Sequence, residues 1–277
     1  GLIWWQKIIG QVLVSVAFSL YCYFSPLVGS SILVPFFNVE WDLGVLYVPL
    51  MTLVMIFMIN SANLQDGLDG LLSSVTVISS AAWGLMAVFV ALAGGAFMSP
   101  ELLGNYRHLA VFALALSGAC MGFLRFNHYP ALVFMGDTGS LTLGYLLAFM
   151  AIHYSCYDPM MIPYEDGALI VAFSTLLVPA LDVIRVVFYR WRHHKGLFSP
   201  DKSHIHHKFL AMGFTPRRSM VLIVMMACAF SCVNIFGINY VNNTLLFLFD
   251  VVVWTLLNLW FDRVRDRRQA AKEGDAH

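Results

Sequence analysis

The chain has 277 residues, 60% of them hydrophobic and 12% charged, with 16 basic against 16 acidic side chains and a mean hydropathy of +0.75. A water-soluble domain of this length does not carry so apolar a composition. The values predict an all-α polytopic integral membrane protein, and no nucleic-acid partner is expected.

The chain opens on Gly1, and GLIWWQKIIGQ has neither the charged lead nor the cleavage site of a signal peptide, so it reads like the middle of something longer. Apolar runs suited to spans of roughly 20 residues fall near 8–24, 46–59, 72–93, 108–124, 133–152, 167–188, 219–237 and 244–261, about eight in all. Between the first two, residues 30–47 carry Pro35, Asn38 and Asp42, which suits a short extracytoplasmic hairpin. The second run is predicted to end at Asn60 and is followed by INSANLQDGLDG, where Gly67 and Gly70 would let a ligand approach the backbone closely. The fifth run begins in VFMGDTGS and is interrupted by Gly136 and Gly139. Residues 189–219 form the longest hydrophilic stretch, long for a connection and so a candidate functional loop. The basic tail, 262–277, reads as a cytoplasmic anchor touching anionic lipid headgroups. There is no internal repeat or linker, which predicts one membrane-embedded domain over 1–277. Cys22, Cys120, Cys156, Cys228 and Cys232 lack metal-ligand spacing and read as small packing residues.

Positively charged loops stay in the cytoplasm. If eight spans alternate, one side collects 15 of the 16 basic residues and leaves only Arg107 opposite. That side also holds every polar cluster, so INSANLQDGLDG is predicted to face the cytoplasm. Three clusters stand out there: Asn60, Asn63, Asp66 and Asp69; then Asp137 in VFMGDTGS; then Asp201, Lys202, His204, His206 and His207 in SPDKSHIHHKF. Polar side chains beside hydrocarbon are costly unless something binds them. A hard divalent cation takes a few carboxylate or amide oxygens and shares its remaining sphere with phosphate. The first two clusters supply such oxygens, Asn60 and Asn63 lie three apart and can point at a common centre, and Asp137 opens a helix whose N–H groups favour anions. Lys202, the histidines, Arg217 and Arg218 could hold a diphosphate. Against this, Asn, Asp and Gly are ordinary cap and turn residues, and the histidines could instead form a zinc or nickel site.

NSANLQDGLDGLLSS, VFMGDTGSLTLG and SPDKSHIHHKFLAMGF, together with VPALDVIRVVFYR, resemble the cytoplasmic signatures of the polyprenyl-phosphate N-acetylhexosamine-1-phosphate transferases. The resemblance implies a multi-pass enzyme of the bacterial plasma membrane with ten or eleven spans when intact and its active site in the cytoplasm. It implies transfer of a sugar-1-phosphate from a UDP-N-acetylhexosamine to undecaprenyl phosphate, with magnesium, or manganese in its place, as cofactor; a homodimer is compatible with it. It further implies that Asn63 and Asp137 bind the metal, that Phe134 stacks on uracil and Asp69 contacts the nucleobase. Asn60 and Asp66 would shape the nucleoside and sugar pocket, and His204, His206 and His207 would sit near the diphosphate. The form His-Ile-His-His resembles the branch that uses UDP-GlcNAc, whereas the branch taking UDP-MurNAc-pentapeptide usually has three adjacent histidines.

One departure stands out. The family carries an aspartate pair upstream of the segment matching GLIWWQK, and no adjacent Asp-Asp occurs here, so an N-terminally incomplete and inactive chain is expected. A transporter is the alternative of another class, with Asp250 in the last span as its best feature, held by Asn258 or a neighbouring helix; a non-catalytic scaffold is the third.

Overall fold

A computed structural model describes residues 3–25, 29–34, 39–94, 98–155, 173–174, 176–194, 204–238 and 240–274. Helix α1 (Trp4–Phe24) leads into a hairpin of strands β1 (Ser31–Val34) and β2 (Val39–Asp42), antiparallel with Ser31 opposite Asp42. A short turn, Gly44–Leu46, opens α2 (Tyr47–Gln65), and α3 (Leu71–Gly94), α4 (Pro100–Asn127) and α5 (Gly136–Ser155) follow. Then come α6 (Leu177–Arg192), the short α7 (Ile205–Ala211), α8 (Pro216–Gly237) and α9 (Asn243–Gly274). The molecule is an all-α polytopic membrane protein with the hairpin where Pro35 and Asn38 predict it.

Helices stand at all eight places where apolar runs predict spans. Six of them, α1 to α4, α8 and α9, are long and apolar enough to cross a bilayer by length and composition. Helix α5 has 20 residues but opens on Gly-Asp-Thr-Gly-Ser, and the residues leading into α6, 156–172, lie outside the described residues. The observed ends differ from the apolar runs where capping takes over. Helix α4 starts eight residues early because Ser99 Oγ accepts the Leu102 N–H at 3.2 Å and Pro100 suits the first turn. Thr215 and Pro216 do the same for α8, with Oγ1 accepting from Arg218 N–H at 3.3 Å. Helix α2 runs past Asn60 to Gln65, and its C-cap is Asp66, whose N–H bonds the Asn63 carbonyl at 3.1 Å.

Helix α2 is packed between α1 and α5, while α3 lies along α4. Small residues set these distances: a Cβ on Gly144 of α5 would sit 2.8 Å from the Ile59 carbonyl oxygen of α2, and one on Gly84 of α3 would sit 2.7 Å from Leu114 of α4. Trp83, Tyr106, Met55 and Ile223 fill the interior, and Leu92, Phe24, Leu85 and Phe236 face outward as lipid contacts would. Inside the bundle polar groups find partners, as when Thr52 Oγ1 donates to Ser19 Oγ at 3.2 Å. The carboxylate that favours a transporter is held in this way: Asn234 of α8 donates to Asp250 of α9 at 2.8 Å. Asn258 serves another residue, Lys208.

Side-chain contacts gather the start of α1, the ends of α2 and α4, the start of α5, the first half of α6, and α7 at one pole of the molecule. The hairpin, joining the far ends of α1 and α2, lies at the other. The tail read from the sequence as a lipid anchor is helical to Gly274. Its first turns bind α7, with Asp262 pairing Lys208 at 2.9 Å, and Arg268 reaching the Met212 carbonyl and lying 5.6 Å over the Phe214 ring.

Candidate active site

Asp137 is the second residue of α5, following Gly136, whose φ of +65° only glycine adopts without strain. Its carboxylate is half exposed and forms an ion pair with Lys7 of α1. From α2, the Asn63 amide donates to Ser140 Oγ at 2.6 Å and also contacts the Asp137 carboxylate. Asn63 and Asp137 are thus brought together across 74 residues of chain, as the resemblance implies for a metal pair. Lys7 is absent from the sequence-level candidates. Its signal was its isolation, since it is the sole basic residue before Arg107.

The remaining members of the first cluster separate into different jobs. Asp66, beyond the end of α2, is pushed up to about 6, first by burial and then by the neighbouring charges of Asp137 and Asp69. Asp69 accepts the Ala131 N–H at 3.0 Å and so ties the turn to the segment between α4 and α5. Asn127 holds the same segment through Val133 O at 3.0 Å while receiving Ser73 Oγ at 2.7 Å. That segment presents Phe134 to solvent with 74% of its surface exposed. Asp69 and Phe134, both assigned to the nucleobase by resemblance, therefore lie on two segments joined by that bond. Asn60 corrects the expectation of a common centre: its amide donates to Gln11 of α1 and to the Ile56 carbonyl, both at 2.8 Å, so it joins two helices while Asn63 faces α5. Because α2 continues to Gln65, both asparagines lie within the helix, not at its end.

The histidine segment closes over this turn. His206 lies where a Cβ on Gly67 would be, 2.9 Å from its Nε2, so the close approach that Gly67 permits is made by the protein's own imidazole. His204 and His206 are buried with their rings parallel within 2° and 5.9 Å apart, and His207 lies 4.2 Å from His206. Burial, with His207 and His204 alongside, lowers His206 to about 4 and keeps it neutral at pH 7. Lys202 and Asp201 lie outside the described residues, and Arg217 is exposed in the first turn of α8. Among the described residues no group of three His, Cys, Asp or Glu side chains is disposed to hold a metal ion. A second residue that sequence reasoning passed over is Asp182 of α6, which receives His204 Nδ1 at 3.0 Å and Arg185 at 2.8 Å. Its signal was a carboxylate inside an apolar run with an arginine three residues on.

The donor set suits magnesium. Asp137, Asn63 and Asp66 offer hard oxygens, too few for a closed cage and so suited to an ion that keeps water and phosphate in its sphere. Asp66 is held up first by burial and then by the charges of Asp137 and Asp69, and a divalent cation would offset both.

Residues 1–155 match the sequence model of glycosyl transferase family 4. The chain belongs to this family. The phospho-N-acetylmuramoyl-pentapeptide-transferase of Clostridioides difficile (strain 630) is 35% identical over 239 residues, 86% of this chain and 66% of that protein. The protein of that name from Clostridium novyi (strain NT) is 37% identical over 214 residues, 77% and 58% of the two chains. That of Heliobacterium modesticaldum (strain ATCC 51547 / Ice1) is 43% identical over 152 residues, 55% and 43%. The family 4 chain thus spans between 43 and 66% of these relatives' lengths.

Proposed function

We propose that this family 4 chain carries the nucleotide-sugar half of a polyprenyl-phosphate N-acetylhexosamine-1-phosphate transferase working at the cytoplasmic face of the bacterial plasma membrane. The observation that carries it is the meeting of Asn63 and Asp137 beside Lys7, at the pole where basic residues collect. In the reaction a phosphate oxygen of undecaprenyl phosphate attacks the β-phosphorus of the UDP-sugar. The bond from that phosphorus to the bridging oxygen breaks, and UMP leaves with the electron pair.

The residues divide the work. Asn63, Asp137 and Asp66 would hold magnesium, which supplies positive charge to the diphosphate and to the departing UMP. Lys7 neutralises Asp137 and offers a second cation beside the diphosphate. Phe134 offers an aromatic face to uracil, with Asp69 fixing the loop that carries it. Lys202 and Arg217 would neutralise phosphate oxygens, His204 and His207 would lie near them, and neutral His206 seats the histidine segment on the turn. The relatives' shared name supports UDP-MurNAc-pentapeptide as first donor. The residues His204-Ile205-His206-His207 favour UDP-GlcNAc as the second reading.

The test is UMP release by the protein together with whatever its gene encodes upstream, given undecaprenyl phosphate, magnesium and each donor separately. Release from one donor, lowered about 100-fold or more in Asp137→Asn, supports the reading and names the branch. No UMP from any UDP-N-acetylhexosamine would overturn it.

A further inference from the structure

We infer that Asp182 is a positioning residue that sets which nitrogen of His204 is presented to substrate, an inference that rests on the transferase reading above. Asp182 is 6% exposed on α6, and three donors converge on its carboxylate. Arg185 occupies Oδ1 at 2.8 Å; His204 Nδ1 at 3.0 Å and the Ile205 N–H at 3.2 Å share Oδ2. An ionised carboxylate only accepts hydrogen bonds, so the proton in the contact with His204 belongs to the ring. The imidazole is then the Nδ1–H tautomer when neutral, and Nε2, its second nitrogen, carries the lone pair that can take up a proton.

The same oxygen starts a helix. His204 is the N-cap of α7 and its side chain caps nothing. The first N–H of the helix, on Ile205, instead takes its acceptor from another helix. Asp182 therefore fixes both where α7 begins and how its first ring is turned. The stack of His204 on His206, and of His206 on Gly67, carries that orientation to the turn holding Asp66 and Asp69. Arg185, three residues along α6, gives the buried carboxylate its counter-charge. Without Asp182 the ring would be free to exchange tautomers and to rotate.

The experiment uses full-length protein in lipid nanodiscs, labelled with imidazole-15N histidine, with His204 assigned by the signals missing in His204→Gln. At a pH where the ring is neutral the wild type is expected to show a protonated Nδ1 and an unprotonated Nε2; this needs no Asp182 variant to fold. In Asp182→Asn the pattern should reverse or average, with kcat for UMP release down about 10- to 100-fold, KM for the UDP-sugar within about twofold, and partial recovery in Asp182→Glu. A wild-type ring protonated on Nε2, or an unchanged pattern in Asp182→Asn, would overturn the inference. So would equal losses in the Asn and Glu variants that follow a lower melting temperature. If wild type releases no UMP the transferase reading fails, and the nitrogen shifts still decide what Asp182 does to the ring.

Discussion

Asp66 precedes Gly67 and His206 packs on that glycine, and burial moves the two groups in opposite senses. Asp66 is raised to about 6, so its contribution favours the folded state at low pH and is lost as pH rises through 6. His206 is lowered to about 4, so its contribution is present above 6.5 and is lost as pH falls toward 4. Between pH 4 and 6.5 the two slopes oppose. In magnesium-free buffer, melting temperature against pH should therefore tilt upward with pH in Asp66→Asn and downward in His206→Gln, relative to wild type. A common slope for all three proteins would show that neither group is coupled to folding. Both residues were legible in the sequence as polar groups bordering hydrocarbon. The seat of His206 on Gly67 was not, because it depends on a missing Cβ whose space is read only once the third dimension is known. Asn60 shows the converse: spacing of three on a helix places it near Asn63, but only the packing of α1 reveals that its amide is taken up by Gln11.

At the level of elements, α7 has just seven residues and cannot hold its shape by propensity. Its ends are held from outside: Asp182 receives the first N–H, and α9 takes hold of the rest. Lys208 is 3% exposed and its Nζ reaches Asp262 at 2.9 Å and Asn258 Oδ1 at 3.2 Å. Burial, and Arg185 nearby, lower the pKa of this ammonium, while Asp262 works to keep it charged. Asp262→Ala strands the buried ammonium and is expected to cost about 3 kcal/mol. Thermal unfolding checks the loss, and proteolysis should then cut near residue 212 sooner than in wild type. An unchanged melting temperature would mean that Lys208 finds another acceptor. Apolar run length located every long helix among the described residues, since hydrocarbon burial dominates there. It missed the early start of α4 and α8, which hydroxyl caps decide, and the persistence of α9, whose charged turns are stabilised by α7 and by Arg265 pairing with Asp262 at 3.1 Å.

Among the described residues the polar pole and the hairpin pole lie at opposite ends of the long helices, and the positive-inside rule predicts the cytoplasmic side for the former. In a cysteine-free background, Ala211→Cys should react with an impermeant maleimide only in inverted vesicles, and Val45→Cys only in intact cells. The reverse pattern would invert the topology and place the candidate site outside. That the polar clusters gather at one end of the spans was legible from the sequence alone. What the sequence could not show is how far apart in the chain the partners of one site lie: Lys7, Asn63, Asp137 and Asp182 come from four helices.

Helix α9 is unbroken for 32 residues, about 48 Å at 1.5 Å per residue, against a hydrocarbon core of about 30 Å. It is anchored within the membrane through Asp250 and, beyond it, grips the segment bearing the histidines through Asp262 and Arg268. Such a rod is a lever. A change in bilayer thickness that alters its tilt moves its outer end, so turnover should vary with acyl-chain length in nanodiscs, and should vary less once Arg268→Ala and Asp262→Ala uncouple the rod from α7. The lipid would then be a mechanical setting on the enzyme as well as its solvent.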